Sequence, residues 1–118
     1  GSIMLIWYKK SFEKIAMGLL SFMPDEKDIK KLQQSMKSYE TEESKHLFLW
    51  KEDDDFIGLI GIEVHGNTAV LVDVSVNPSH RGQGVGRMMV TSVRGFYPGY
   101  EFDARKETAQ FLAKCTDC

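Results

Sequence analysis

The sequence predicts one α/β domain in which strands and helices follow the order β-α-α-β-β-β-α-β-α. Short apolar runs bounded by turn residues indicate the strands, and apolar residues repeated every three or four positions indicate amphipathic helices. A third observation predicts where a ligand binds. Between residues 69 and 96 a strand-type run passes through a glycine-rich loop directly into a helix-type pattern.

The first part of the chain predicts one strand and two helices. Residues 3–9 form a short apolar and aromatic run, typical of a strand. The first helix is indicated by apolar residues at helical spacing before Pro24, which are Phe12, Ile15, Ala16, Leu19 and Leu20. Asp25 suits the N-cap of the second helix. The apolar stripe of that helix consists of Ile29, Leu32, Met36 and Tyr39.

The middle of the chain predicts three consecutive strands. Residues 46–51 form the first of them, and the acidic residues 52–55 form a hairpin turn, since they lack the glycine and the spaced ligands of a calcium loop. Residues 56–64 are almost wholly apolar, as expected of a central strand covered on both faces. After a turn at residues 65–67, residues 68–76 form the fourth strand.

The last part of the chain predicts a helix, a strand and a final helix. The third helix carries an apolar face of Val85, Met89, Val93 and Phe96. Pro98 and Gly99 break this pattern, residues 100–104 form a short fifth strand, and residues 108–114 form the last helix.

Composition limits the classes of function. A chain of 118 residues fits one domain, expected to span residues 3–118, with Gly1 and Ser2 as an expression scar and Met4 as the native start. The net charge of -2 argues against nucleic-acid binding, which usually requires a basic face. The sequence contains no apolar run near the roughly 18 residues of a membrane span and no signal peptide. We therefore expect a cytoplasmic protein that binds neither membranes nor nucleic acids.

The two cysteines form a C-x-x-C pair, Cys115 and Cys118, at the C-terminus. A zinc site needs a second pair of ligands, and the three histidines are scattered elsewhere. A redox pair usually sits at a helix N-terminus, whereas this one follows a predicted helix. We expect incidental cysteines and no bound metal.

The glycine-rich loop runs from Arg81 to Gly86, in the order Arg-Gly-Gln-Gly-Val-Gly. Small residues before a helix N-terminus let backbone N–H groups converge on an anion, and the helix dipole adds partial positive charge. Arg81 adds a full charge with a fork geometry that suits phosphate. Three glycines in five residues also cost backbone entropy that a plain turn does not need. The loop therefore predicts a ligand that carries phosphate.

Two of three known phosphate loops fail on spacing. A Walker loop ends in Gly-Lys-Ser/Thr, whereas Arg87 follows Gly86 here. A dinucleotide loop that starts at Gly82 would place Arg87 where the third glycine must pack. The pattern Arg/Gln-x-x-Gly-x-Gly/Ala, by contrast, is matched by Arg81, Gly84 and Gly86 without adjustment.

With residues 74–80 (Val-Ser-Val-Asn-Pro-Ser-His) directly upstream, this loop resembles the central motif of the GNAT (GCN5-related) acetyltransferases. The resemblance covers nearly the whole chain and implies a mixed, mostly antiparallel sheet with splayed fourth and fifth strands, shortened at the C-terminus. Within the family, residues 8–24 and 76–81 resemble the small RibT-type acetyltransferases encoded with riboflavin-synthesis genes.

The resemblance implies acetyl-CoA as co-substrate. Pro78 lacks an N–H and favours an extended Asn77, so a ladder to the next strand cannot continue there. In the family the pantetheine arm fills that gap by strand addition, here through backbone groups of Val74, Ser75 and Val76. The pyrophosphate would lie beside Arg81 on a set of loop and helix residues that comprises Gly82, Gln83, Gly84, Val85, Gly86 and Arg87.

Acetyl transfer to an amine needs a base, because a lysine-like amine has a pKa near 10.4. The candidates are Asp73 and Glu63, on strands expected to lead toward the cleft, and Asp73 shares the strand face of Ser75. Both also fit ordinary hydrogen-bonded or solvated strand carboxylates. A backbone N–H near Val76 would stabilise the tetrahedral oxyanion.

The last helix departs from the family pattern Asn-x-x-Ala-x-x-x-Tyr, whose tyrosine protonates the leaving thiolate. Arg105, Thr108 and Leu112 stand at those three positions. Leucine cannot donate a proton, so the thiolate leaves unaided or Tyr100 serves instead.

The chain also ends at Cys118, before the further strands that usually wall the acceptor pocket. Either the pocket is open, to a small-molecule or protein amine, or a second subunit completes it by pairing along the fifth strand. Two functions stay open: an N-acetyltransferase, and a CoA-binding protein with weak or no catalysis that acts in regulation or association.

Overall fold

The computed structural model describes residues 2–24 and 28–113, which form a five-stranded sheet and four helices. The strands are β1 (Ile3–Trp7), β2 (Lys45–Glu52), β3 (Asp55–His65), β4 (Thr68–Val76) and β5 (Glu101–Ala104). The helices are α1 (Glu13–Leu20), α2 (Ile29–Thr41), α3 (Val85–Arg94) and α4 (Ala109–Ala113). The predicted order of elements is confirmed.

The sheet has the spatial order β1-β2-β3-β4-β5, so each strand lies beside its neighbours in the sequence. The first four strands pair antiparallel, and β5 pairs with β4 in parallel after the α3 crossover. The predicted mixed, mostly antiparallel sheet is confirmed.

Helices cover both faces of the sheet. Because side chains alternate along a strand, β2 sends Phe48 into a core with α3, and Leu47 and Leu49 into a second core with α1 and α2. The buried run of β3 likewise divides between the two cores. This explains why residues 56–64 are apolar without alternation.

A β-bulge in β4 changes which residues face which core. Gly61 pairs with Asp73 and Ile62 pairs with Leu71, which leaves Val72 as the extra residue. Leu71 and Val74 therefore both pack in the α3 core, while Asp73 bonds to α2 and Ser75 bonds to α1 on the opposite face. The bulge thus turns a buried carboxylate toward α2.

β4 and β5 separate immediately after this bulge begins. Their parallel pairing covers four residues of each strand, from the pair Thr68 and Glu101 to the pair Leu71 and Ala104. The rest of β4 continues to Val76 with β3 on one side and no β5 partner on the other. The predicted splay is confirmed, but it starts at the bulge rather than near Pro78.

Three local predictions needed correction or fall outside the described chain. The N-cap of α2 is Asp28, whose carboxylate accepts from the Lys30 N–H at 2.8 Å, and the predicted cap, Asp25, lies outside the described residues. Ile29 is 58 % exposed and so does not belong to the buried stripe of α2. Phe96 lies beyond the end of α3 and is 43 % exposed.

Within residues 2–24 and 28–113, no helix is both long enough and apolar enough to cross a bilayer. Gly1 and the C-x-x-C pair, Cys115 and Cys118, lie outside the described residues.

Candidate functional site

A cleft of about 750 Å³ opens beside the unpaired edge of β4. One wall is β4 itself, and the loop from His80 into the first turn of α3 closes one end. The other walls come from the segment after α1 and from the start of α4. The residues that line them are Phe22, Met23, Pro24, Glu107, Gln110 and Phe111.

The glycine loop adopts the backbone that its sequence predicts. Gly82 and Gly84 have φ angles of 80° and 78°, in the left-handed region that residues with a side chain rarely adopt. Gly84 is the N-cap of α3, and its carbonyl accepts from the Met88 N–H at 3.0 Å as the first α-helical bond. The N–H groups of residues 85–87 precede that bond and have no intrahelical acceptor. They lie at the cleft, where an anion would meet them.

Gly86 is needed for close packing between two walls of the cleft. A Cβ placed on Gly86 would lie 2.8 Å from Phe111 Cδ1, which is closer than real Cβ atoms approach. The absent side chain therefore lets the Phe111 ring of α4 rest against the first turn of α3. The sequence does not predict Phe111 as a residue of the site.

Most residues predicted to bind the cofactor line this cleft. The lining includes Val74, Ser75, Val76, Arg81, Gly82, Gly84, Val85, Gly86 and Arg87. Gln83 is exposed within the same loop but is not part of the lining. The Ser75 hydroxyl donates to the Leu19 carbonyl at 2.5 Å, which ties β4 to the end of α1 just before Phe22.

Asp73 is 2 % exposed and does not line the cleft. Its Oδ2 accepts from the Tyr39 hydroxyl at 2.5 Å, and its Oδ1 accepts from Arg105 Nη2 at 3.2 Å. Burial raises the pKa of the Asp73 carboxyl, although the Tyr39 hydrogen bond and the Arg105 charge act in the opposite direction. Asp73 does share the strand face of Ser75, but that face points to α1 and α2.

Glu63, the other predicted base, lies away from the cleft. It pairs with Lys45 on β2 and with Val70 on β4, on the far side of the bulge from residues 74–76. Its Oε1 lies 3.3 Å from Nε2 of the exposed His65. This position gives Glu63 no contact with a ligand in the cleft.

Arg105 connects the separation of the strands to the cleft. Its Nε donates to the Val72 carbonyl at the bulge, its Nη1 lies 2.6 Å from Glu107 Oε1, and its Nη2 reaches Asp73. The Thr108 hydroxyl donates to the Leu71 carbonyl at 2.6 Å. Arg105 and Thr108 therefore donate hydrogen bonds to β4 carbonyls at the point where β5 separates from β4. The ion pair of Arg105 with Glu107 places Glu107 in the cleft.

From the sequence, Arg105 and Thr108 are only departures from a family pattern, and no role is predicted for Glu107. An arginine two residues before a glutamate, directly after a predicted strand, was the available signal.

Neither Leu112, which stands at the tyrosine position of the family pattern, nor Tyr100, the candidate donor, lines the cleft. Leu112 packs as a partly buried residue against the α3 core. Tyr100 packs edge-to-face on Tyr97, with ring centroids 5.5 Å apart. Among the described residues that line the cleft, none is a tyrosine.

Comparisons with known proteins concern the family and the fold of this chain. The family model described as the acetyltransferase (GNAT) family matches residues 7–107. A protein of Bacillus methanolicus, described as an uncharacterized N-acetyltransferase in the lysA 3′ region, is 60% identical over 116 residues, which is 98% of this chain and 97% of the relative.

Solved structures share the fold at low sequence identity. An acetyltransferase from Thermus thermophilus matches with a TM-score of 0.76 at 12% identity, over 97% of this chain and 84% of that one. The aminoglycoside N-acetyltransferase AAC(6')-Iy in complex with CoA matches with a TM-score of 0.74 at 14% identity, over 96% and 82%. Spermidine N-acetyltransferase from Vibrio cholerae, in complex with CoA and spermine, matches with a TM-score of 0.72 at 10% identity, over 97% and 79%.

Proposed function

This chain belongs to the GNAT acetyltransferase family, and from that premise we propose that it transfers the acetyl group of acetyl-CoA to an amine. The observation that carries the proposal is the unpaired β4 edge that leads directly into the glycine loop at the N-terminus of α3. An exposed strand edge suits the amides of a pantetheine arm, and a helix N-terminus suits a pyrophosphate. One cleft therefore offers both kinds of contact in the order in which CoA carries them.

In this proposal the backbone of residues 74–76 aligns the pantetheine arm, and the N–H groups of residues 85–87 bind the pyrophosphate. Arg81 and Arg87 line the same end of the cleft and add positive charge. Gly82 and Gly84 supply the left-handed turns that bring the helix N-terminus to the phosphates.

The reaction forms a bond between the amine nitrogen and the acetyl carbon and breaks the bond between that carbon and sulfur. A backbone N–H of the open β4 edge near Val76 stabilises the oxyanion. The amine loses one proton to solvent water before or during attack, and the sulfur leaves as thiolate. A thiol pKa near 8.5 makes this departure possible without an acid, which fits the lack of a tyrosine among the described lining residues.

In this proposal Asp73 is not the base that takes the proton from the amine. Its carboxylate is enclosed by Tyr39 and Arg105, so it acts on the cleft through Arg105 rather than by contact with the amine. Glu63 lies outside the cleft lining, so its position does not support a role as the base.

A second candidate function is CoA binding with weak or no catalysis, in regulation or association. The position of Leu112, packed on the core where the family pattern has tyrosine, favours this alternative. Both candidates need the same cofactor site, so the acceptor reaction separates them.

The test is a thiol-release assay with acetyl-CoA and a panel of primary amines. We expect free CoA to appear with at least one amine, and the acetylated amine to appear in equal amount by mass spectrometry. Arg81→Ala should reduce the rate at subsaturating acetyl-CoA. Tight CoA binding with no amine-dependent release, or with release equal to that of Arg81→Ala, supports the second candidate.

Three further predictions accompany the proposal. The first is dimerisation through β5, a four-residue strand at the edge of the sheet. A sedimentation experiment that shows only monomer at high micromolar concentration would exclude it. A cytoplasmic location is testable by cell fractionation. The link to riboflavin synthesis depends on the resemblance of residues 8–24 and 76–81, and the neighbouring genes would test it.

A further inference from the structure

The lining of the cleft carries charge of both signs. Arg81 and Arg87 lie at the α3 end, where the phosphates of CoA would bind. Glu107 is the one carboxylate among the described residues that line the cleft. It precedes α4, whose neutral residues Gln110 and Phe111 also line the cleft.

Arg105 holds Glu107 in position, and Arg105 is itself held by other groups. Its Oε1 pairs with Arg105 Nη1 at 2.6 Å, and the same guanidinium bonds to the Val72 carbonyl and to Asp73. Asp73 is held in turn by Tyr39. A planar guanidinium with three partners restricts the carboxylate to a narrow range of positions before any ligand arrives.

The ion pair with Arg105 locates Glu107 along β4. Arg105 meets β4 at Val72, and the glycine loop follows the end of β4 at Val76. The Glu107 carboxylate therefore lies near the point where β4 and β5 separate, at the inner end of the open edge.

Arg105 forms ion pairs with two carboxylates, those of Asp73 and Glu107. Within the described residues the carboxylate of Glu107 has this one ion pair, and its side chain is 32% exposed. Its carboxylate is thus held in position by Arg105 and remains partly accessible at the cleft.

We propose that Glu107 recognises the acceptor as a cation, so that this acetyltransferase acts on small amines that carry a further positive charge. The inference rests on the proposed function, since it assigns the substrate class of the same cleft. Arg105 is the positioning residue, and Asp73 with Tyr39 holds Arg105. An ion pair that only stabilises the start of α4 is the alternative, and the test distinguishes the two.

The test compares two acceptors of equal length and opposite terminal charge, 1,4-diaminobutane and 4-aminobutanoate. Each is titrated calorimetrically into the protein, with and without saturating CoA. We expect the wild type to bind the diamine more tightly. Glu107→Gln should weaken diamine binding by about tenfold or more, the usual effect of losing a charge-assisted hydrogen bond, and should leave CoA affinity unchanged. Glu107→Lys should reverse the preference.

Glu101→Gln is the matched control, because Glu101 is an exposed carboxylate on β5 outside the cleft lining. It should bind both amines as the wild type does. Equal affinity of the wild type for the two amines, or a Glu107→Gln protein that behaves like Glu101→Gln, overturns the inference. Diamine binding without CoA binding would instead contradict the proposed function and leave the role of Glu107 standing.

Arg105→Lys tests the positioning role, with Arg94→Lys as control because Arg94 lies over Phe102 outside the cleft lining. A lysine keeps the charge but cannot bond to three partners in one plane. We expect the diamine preference to fall several-fold while CoA affinity stays the same. An unchanged preference in a folded Arg105→Lys protein would contradict that role.

Discussion

The hydroxyl of Tyr39 reaches the carboxylate of Asp73 at 2.5 Å through the space left by a missing side chain. A Cβ on Gly61, the β3 partner of Asp73, would lie 1.8 Å from that hydroxyl oxygen. Gly61 therefore lets a helix on one face of the sheet satisfy a buried strand carboxylate. The same carboxylate holds Arg105, and Arg105 holds Glu107 in the cleft.

Gly61→Ala should destabilise the protein by about 1–3 kcal/mol or more, because the methyl group displaces Tyr39 and leaves Asp73 with one hydrogen-bond donor fewer. Urea unfolding followed by circular dichroism measures the free energy. The matched control is Gly18→Ala in α1, where a Cβ would meet no atom within 4 Å. That change should be neutral or stabilising by roughly 0.5–1 kcal/mol. Equal stability of the two variants would contradict the packing of Tyr39 against Gly61.

The raised pKa of Asp73 predicts a pH dependence with a definite sign. Burial favours the protonated carboxyl in the folded chain, so above the ordinary pKa of 3.8 the folded chain binds more protons than the unfolded chain. The contribution of Asp73 to stability is therefore greatest below that value and declines as the pH rises through the raised pKa. Asp73→Asn has no such titration.

The measurement is the free energy of unfolding of the wild type minus that of Asp73→Asn across the same pH range. The difference should shift in favour of the variant as the pH rises above 3.8. A shift in favour of the wild type would mean that Arg105 and Tyr39 outweigh burial and lower the pKa.

Gly86→Ala should weaken the contact between α3 and α4, because its Cβ would lie 2.8 Å from the Phe111 ring. Overpacking of this kind costs about 1–3 kcal/mol. Phe111→Leu removes the ring edge, so the double variant should recover part of that loss. A double-mutant cycle of unfolding free energies measures the coupling, and strict additivity would show that the two residues do not meet.

Arg81→Ala should weaken CoA binding by about tenfold, in line with the loss of a charge-assisted contact to phosphate. Arg81→Lys should fall between the wild type and the alanine variant, because lysine keeps the charge but loses the fork. Binding by the wild type should also weaken as salt is added, and that dependence should be smaller in Arg81→Ala. Identical salt dependence would place Arg81 away from the phosphates.

The sequence predicts the order of elements because strands and helices have different hydrophobic periods. It also predicts the turn into α3, because glycine is the residue that readily adopts the left-handed backbone found at Gly82 and Gly84. It does not predict the bulge at Val72, since one extra residue leaves no period of its own. That bulge turns Asp73 toward α2 and begins the splay. The sequence does not predict Glu107 either, because its position in the cleft depends on the path of the chain after β5. Tertiary contacts of Arg105 and Thr108 determine that path.

The most direct test of the cofactor site is a CoA titration followed by backbone amide NMR of the ¹⁵N-labelled protein. The largest shifts should fall on residues 74–76 and 81–87, with small changes in α2 and β1 on the far parts of the fold. Weak or absent shifts at millimolar CoA, or shifts centred outside the β4 edge and the glycine loop, would contradict the assignment of this cleft to CoA.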